Sequence, residues 1–248
     1  MCVCNPHSSE SYFFHTHTQK TSTMADEQLI LIDFWASMFC MRPKIALAEK
    51  NITDYDCRVE DLMSDKKSSL LLDMNPVHKL IPVLIHHGKP ICESLIIVEY
   101  IDEVWKGEIP FLPSDPYQKS QSKFWADYID KKFYPASKTL WKTKESTERE
   151  TAKSEFIENL KLLEEELGDK CYFGGDHFGF VDIALIPFYS WFHTYESCGN
   201  FSIEAECPKI IAWAKRCEQR EAVKNSLPEM HKISELILGV RKQHLGIE

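Results

Sequence analysis

Residues 107–115 read GEIPFLPSD, and this stretch divides the chain. Two prolines and a glycine within nine residues break helical and strand periodicity alike, so the segment reads as a linker. On its N-terminal side, strands and helices alternate. Residues 28–34 (QLILIDF) form a short apolar run of strand character. Trp35, Ala36 and Ser37 turn the chain, and residues 38–50 carry a helical pattern that ends before Asn51. Residues 54–59 suit a second strand and residues 66–72 a short helix. Residues 82–86, Gly88 and residues 90–92 suit a hairpin, and residues 93–105 return to a 3.6 period. The order β-α-β-α-β-β-α describes a small α/β unit with a mixed sheet.

On the C-terminal side the strand signals vanish. Residues 116–141, 148–167, 181–195, 208–219 and 228–243 all read as helical. Pro116, Pro208 and Pro228 suit first-turn positions, whereas Pro135 interrupts the first of these segments. The expected fold class is therefore α/β plus all-α. Residues 24–107 make the α/β domain, 108–115 the linker and 116–248 the helical domain.

The sequence holds 248 residues, enough for one large domain or two modest ones. Apolar residues are 44% and charged residues 27%, the composition of an ordinary globular protein. Lys plus Arg is 29 against 38 for Asp plus Glu, so the formal charge is 29 − 38 = −9. That excludes the basic footprint of a nucleic-acid partner and disfavours an anionic membrane surface. The apolar runs, 183–189 among the longest, fall short of the roughly 20 residues that a spanning helix needs. Nine cysteines, an odd number, show no CxxC and no zinc spacing. They read as free thiols in a reducing compartment, and no metal site is expected. Residues 1–23 are rich in Ser, Thr and His, lack periodicity and lack a signal-peptide core. Cys2, Cys4, His7, His15 and His17 there have no closing ligand spacing. The segment reads as a disordered or spuriously included extension before Met24.

Several residues admit both a chemical and a structural reading. Ser37 stands where a helix begins. It is a natural N-cap, and its hydroxyl also sits at the positive end of a helix dipole. Pro82 is a strand-start proline, and Glu93–Ser94 opens a helix, where caps and anion sites coincide. Lys67 reads as a solvated lysine. Asp182, three residues after Gly179, suits a capping box with a folding role. Phe39, Phe124, Tyr128, Trp191 and Leu236 are apolar enough for either core packing or a cleft between the domains.

Five stretches carry a resemblance: LIDFWASMFCMRPKIAL (31–47), NPVHKLIPVLIHHGKPICES (75–94), SLIIVEYIDEVW (94–105), LPSDPY (112–117) and GFVDIALIPF (179–188). In this order and spacing the chain from Met24 onward resembles the plant tau-class glutathione transferases. The resemblance implies a thioredoxin-like N-terminal domain, an all-helical C-terminal domain and a cytoplasmic homodimer. It implies conjugation of glutathione to hydrophobic electrophiles in detoxification and stress responses, with glutathione as co-substrate and no cofactor. By the same resemblance, Ser37 donates to the glutathione sulfur and a cis Ile81–Pro82 bond exposes backbone groups to the cysteinyl unit. Glu93 and Ser94 grip the γ-glutamyl end, and Lys67 meets the glycyl carboxylate, with Lys66 or Lys79 as substitutes. The electrophile falls to Phe39, Phe124, Tyr128, Trp191 and Leu236. The chain departs from the usual Ser-Pro-Phe at Met38, and Pro43 lies inside the first helix.

The chemistry asks for such a site. Only a thiolate is nucleophilic, and lowering a free thiol's pKa from about 8.5 by two units takes roughly 2.7 kcal/mol. Two other functions share the same fold: a non-catalytic carrier of hydrophobic ligands, and a glutathione-dependent thiol oxidoreductase using Cys40.

Overall fold

The computed structural model describes residues 28–62 and 66–246, so the reading of residues 1–23 lies outside the described residues. The first part of the chain runs β1 (Leu29–Asp33), α1 (Met38–Glu49), β2 (Asp56–Val59), α2 (Ser69–Met74), β3 (Val83–His86), β4 (Lys89–Cys92) and α3 (Ser94–Val104). The sheet order is β2-β1-β3-β4. β2 lies parallel to β1, while β3 is antiparallel to both its neighbours. Alternation sorts the strand side chains to two faces. Leu29, Leu31 and Leu84 join the large core shared with the helices, and Ile32, Val83 and Ile85 pack with Leu71 of α2 on the other face.

α1 runs unbroken through Pro43. The missing N–H costs one backbone bond, but Cys40, Met41, Ile45 and Leu47 are wholly buried around it. That tertiary burial outweighs the local penalty. α2 begins later than its sequence pattern indicates. Ser68 caps it, accepting from Leu71 N at 3.1 Å, and is itself tied to the buried Glu60 carboxylate. Lys66 and Lys67 therefore precede the helix rather than belong to it.

The remaining chain is helical: α4 (Pro116–Tyr128), α5 (Tyr134–Lys142), α6 (Ser146–Leu167), α7 (Phe180–Leu185), α8 (Phe192–Gly199), α9 (Ile203–Glu206), α10 (Pro208–Cys217), α11 (Glu221–Ser226) and α12 (Met230–Val240). Two prolines shape it. A π turn over Ile129–Phe133 separates α4 from α5 just ahead of Pro135, and a 3-10 stretch over Ile186–Trp191 contains Pro187. The short α9 and α11 have no counterpart in the sequence periodicity. Asp182 closes a capping box with Gly179 and also accepts from Phe173 N and Trp213 Nε1. Burial pushes its carboxyl up to about 6 against those three donors.

Two strong ties join the halves. Arg220 holds Glu49 of α1 with two bonds of 2.7 and 2.6 Å. Arg42 of α1, wholly buried, donates to Ala184 O and to both carboxylate oxygens of Asp130. No helix among the described residues is long and apolar enough to cross a membrane. All seven cysteines among the described residues are free thiols.

Candidate functional site

A cleft of about 610 Å³ opens between the sheet-bearing part and the helices. Its walls differ in origin and chemistry. One is built from loops and element ends of the α/β part, the other from faces of α5, the 3-10 stretch and α12.

Ser37 stands at the head of the first wall. The turn Phe34–Ser37 is closed by Ser37 N donating to Phe34 O at 2.9 Å. The Ser37 Oγ accepts from Cys40 N at 3.4 Å, the N-cap bond of α1. A hydroxyl that accepts this way keeps its own proton to donate, and the α1 N terminus adds a favourable dipole for an anion. Both readings of Ser37 thus coexist. Cys40 lies one turn inside and is wholly buried. Burial first, then the Asp33 carboxylate, pushes its thiol up to about 12, so it is not a thiolate at neutral pH.

The same wall carries Lys67, Lys79, Ile81, Pro82, Glu93 and Ser94. The Ile81–Pro82 bond is cis. Glu93 sits at φ 72 and Lys79 at φ 56, left-handed backbone that non-glycine residues rarely adopt. Lys67 Nζ donates to Lys79 O at 2.5 Å. Ser94 Oγ accepts from the Arg42 guanidinium at 3.0 Å, which leaves its hydroxyl proton for a ligand. At the start of α3 the free backbone N–H groups point the same way.

The apolar wall holds Phe39, Trp191 and Leu236 from the sequence-based set. Phe39 meets Tyr134 edge-on at 4.8 Å. Trp191 is largely buried and donates from Nε1 to Ala36 O at 3.1 Å, bracing the turn that carries Ser37. Phe124 and Tyr128 do not line this cleft. Phe124 is 55% exposed on α4, and the Tyr128 hydroxyl donates to Asn159 Oδ1 at 2.5 Å. The cleft receives Asp130 of the π turn and Tyr134, Lys138 and Trp141 of α5 instead. The 4 and 3 spacing of residues 134, 138 and 141 marks one helix face, and that was the available sequence signal. A second cavity of about 540 Å³, beneath the linker, contains none of the sequence-based candidates.

Known proteins match this architecture. The family model "Glutathione S-transferase, N-terminal domain" matches residues 27–103, and "Glutathione S-transferase, C-terminal domain" matches residues 146–216. The chain is 62% identical over 226 residues to a probable glutathione S-transferase parC of Nicotiana tabacum, covering 91% of this chain and 100% of that one. It is 62% identical over 225 residues to glutathione S-transferase U25 of Arabidopsis thaliana, covering 91% and 99%. Among solved structures, rice GST1 in complex with glutathione superposes with a TM-score of 0.83 at 42% identity, covering 88% of this chain and 98% of that one. A tau-class glutathione S-transferase from mango gives 0.80 at 40% identity, covering 86% and 98%.

Proposed function

Since the chain belongs to the tau class of the glutathione S-transferases, we propose how this cleft carries out glutathione transfer, residue by residue. Glutathione lies along the loop-built wall. Its γ-glutamyl ammonium pairs with Glu93, and its α-carboxylate takes the Ser94 hydroxyl and the N–H groups that open α3. The cysteinyl unit pairs with the backbone at Ile81, beside Pro82, as an added strand would. The glycyl carboxylate meets Lys67. These contacts bring the sulfur to Ser37.

The Ser37 hydroxyl donates to the sulfur, and the α1 N terminus favours the anion. The thiol proton leaves to solvent. The thiolate then attacks the electrophilic carbon, a C–S bond forms, and the electron pair departs with the leaving group or onto the acceptor. Phe39, Trp191 and Leu236 face the electrophile, with Tyr134 and Trp141 beside them. Apolar walls suit hydrophobic electrophiles. What carries this reading is the convergence of six residues distant in sequence, Ser37, Lys67, Ile81, Pro82, Glu93 and Ser94, on one cleft. Its test is the ultraviolet thiolate absorbance of bound glutathione against pH. The thiol should ionise about two pH units below its value in water; ionisation at the free-thiol pH would overturn it.

Domain boundaries of 24–107, 108–115 and 116–248 follow the same reading. A homodimer is proposed from Ile96, Tyr117 and Phe124, exposed apolar side chains on α3 and α4, and sedimentation velocity checks it. Seven free thiols suit a cytoplasmic setting. The oxidoreductase alternative is disfavoured by the burial and raised pKa of Cys40.

A further inference from the structure

Glu93 is held from behind. His78 lies in the loop after α2, and its Nδ1 is 2.5 Å from Glu93 Oε1, with both side chains about half exposed. That loop is anchored. The buried Asn75 accepts from His78 N through Oδ1 at 3.1 Å and donates from Nδ2 to Leu80 O at 2.9 Å. Lys79 N closes the turn onto Asn75 O at 2.9 Å. Glu93 faces the cleft, whereas His78 is not among its lining residues. The imidazole thus meets the carboxylate from outside the cleft lining.

A carboxylate oxygen only accepts, so Nδ1 carries the hydrogen. The ring is then either the neutral Nδ1–H tautomer or the imidazolium. Both fix one oxygen of Glu93 and leave the other for the cleft. They differ in charge. A neutral ring aims the carboxylate and leaves its charge whole. An imidazolium neutralises it and sets a like charge near an incoming ammonium.

We propose that His78 is a positioning residue that sets, through Glu93, how tightly the cleft takes the ammonium end of glutathione, and that protonation of His78 loosens that grip. The proposal rests on the reading of Glu93 as the ammonium's partner. If the imidazolium weakens the grip, binding of the ammonium end expels the ring's second proton by linkage. Among the described residues, nearby ionisable groups include Lys79, next in the loop, Lys67, bonded to the Lys79 carbonyl, Cys92, next to Glu93, and the Arg42–Asp130 pair bonded to Ser94. The Cys92 thiol is pushed up, by burial first and by Glu93 second, and stays neutral.

The test uses S-methylglutathione, whose blocked sulfur removes thiol ionisation from the measurement. Calorimetric titrations at pH 5.5 and 7.0, each in two buffers of different ionisation heat, read affinity and proton release together. Native protein should bind about threefold to fivefold more weakly at pH 5.5, the scale of a half-exposed ion pair. At pH 5.5 its binding should release more protons than at pH 7.0, read from the difference between the two buffers. His78→Asn keeps an N–H near the Nδ1 position without the charge, so its affinity should be equal at both pH values. Glu93→Gln should bind weakly at both. Equal native affinities at the two pH values would overturn the proposal, as would a His78→Asn variant that keeps the native pH dependence. If Glu93→Gln binds like the native protein, the ammonium reading fails and takes this proposal with it. If Glu93→Gln weakens binding while His78→Asn keeps the slope, only the role of His78 fails.

Discussion

The two walls of the cleft are made by different means. The glutathione-facing wall uses backbone devices at the ends of short elements: a helix cap at Ser37, a cis bond before Pro82, left-handed residues at Lys79 and Glu93. Each is set by a few neighbouring residues. The apolar wall uses side chains on faces of α5 and α12, and the π turn immediately before α5 helps set which face of that helix points inward. A locally determined wall keeps its geometry whatever occupies the other one. A wall made of helix faces changes its lining with one inserted residue. That division suits a fixed co-substrate paired with variable electrophiles.

The sharpest way to break the comparison is Ser37→Ala, which removes one hydroxyl from the local wall. Turnover should fall about 10²-fold or more, the scale for a single donor to a developing or held anion. Glutathione affinity should stay within about threefold, because in the proposed pose Ser37 meets only the sulfur. Steady-state kinetics with an aryl halide and a separate binding titration check the two halves of this expectation. Near-native turnover would leave Ser37 as a cap alone.

Two side chains cross the division: Trp191, which donates to Ala36 O in the Ser37 turn, and Arg42, which serves both walls. It holds Ser94 on one side and Asp130 on the other, from a wholly buried guanidinium. Arg42→Met would leave the partly exposed Asp130 carboxylate and the Ser94 hydroxyl without their partner. Urea unfolding should show a loss of about 2–4 kcal/mol, somewhat below the cost of splitting a fully buried pair. If stability is unchanged, the walls are independent and Arg42 does not couple them.

Much of the local wall was legible in the sequence. Ser37 of W-A-S caps α1 and Asn75 of N-P-V-H-K closes its own turn, both local devices, whereas the cis I-P bond and the roles of E-S came only with the family resemblance. The element order and the mixed character of the sheet were legible, whereas the order β2-β1-β3-β4 came from the structure. Phe124 and Tyr128 lie outside this cleft, because apolarity says nothing of which helix face turns inward, and Tyr134, Lys138 and Trp141 of α5 line it instead. His78 passed unnoticed because its partner lies 15 residues away across a hairpin.

A paired substitution sharpens the comparison further. Lys67→Ala should weaken glutathione binding about tenfold, the low end for a charged hydrogen bond because the lysine is exposed. It should leave the electrophile KM at saturating glutathione nearly unchanged. Tyr134→Leu should do the reverse, shifting KM and preference among aryl electrophiles by up to about tenfold through lost ring contacts. Crossed effects in either variant would show that the walls are one site, not two.

The smallest effect is expected at Cys40, three residues beyond Ser37 and inside the same helix. With its pKa pushed to about 12, by burial first and Asp33 second, it is almost wholly protonated at pH 7. The thiolate is then about one part in 10⁵, too little to act as a nucleophile. Cys40→Ser should leave conjugation of an aryl halide within about twofold. It should lower stability by about 1–2 kcal/mol, because a hydroxyl is harder to bury than a thiol. The pH dependence has a definite sign. A thiol that ionises near 9 in the unfolded chain and near 12 in the folded one holds a proton in the folded state alone between those values. Its contribution to stability is whole below pH 9 and declines as the pH rises toward 12. Denaturant unfolding at pH 8 and pH 10 should therefore show a steeper alkaline loss in native protein than in Cys40→Ser. Loss of turnover in that variant, with a glutathione adduct on Cys40 in the native protein by mass spectrometry, would make the buried thiol the reactive group. It would reduce Ser37 to the cap that its hydrogen bond to Cys40 N already makes it.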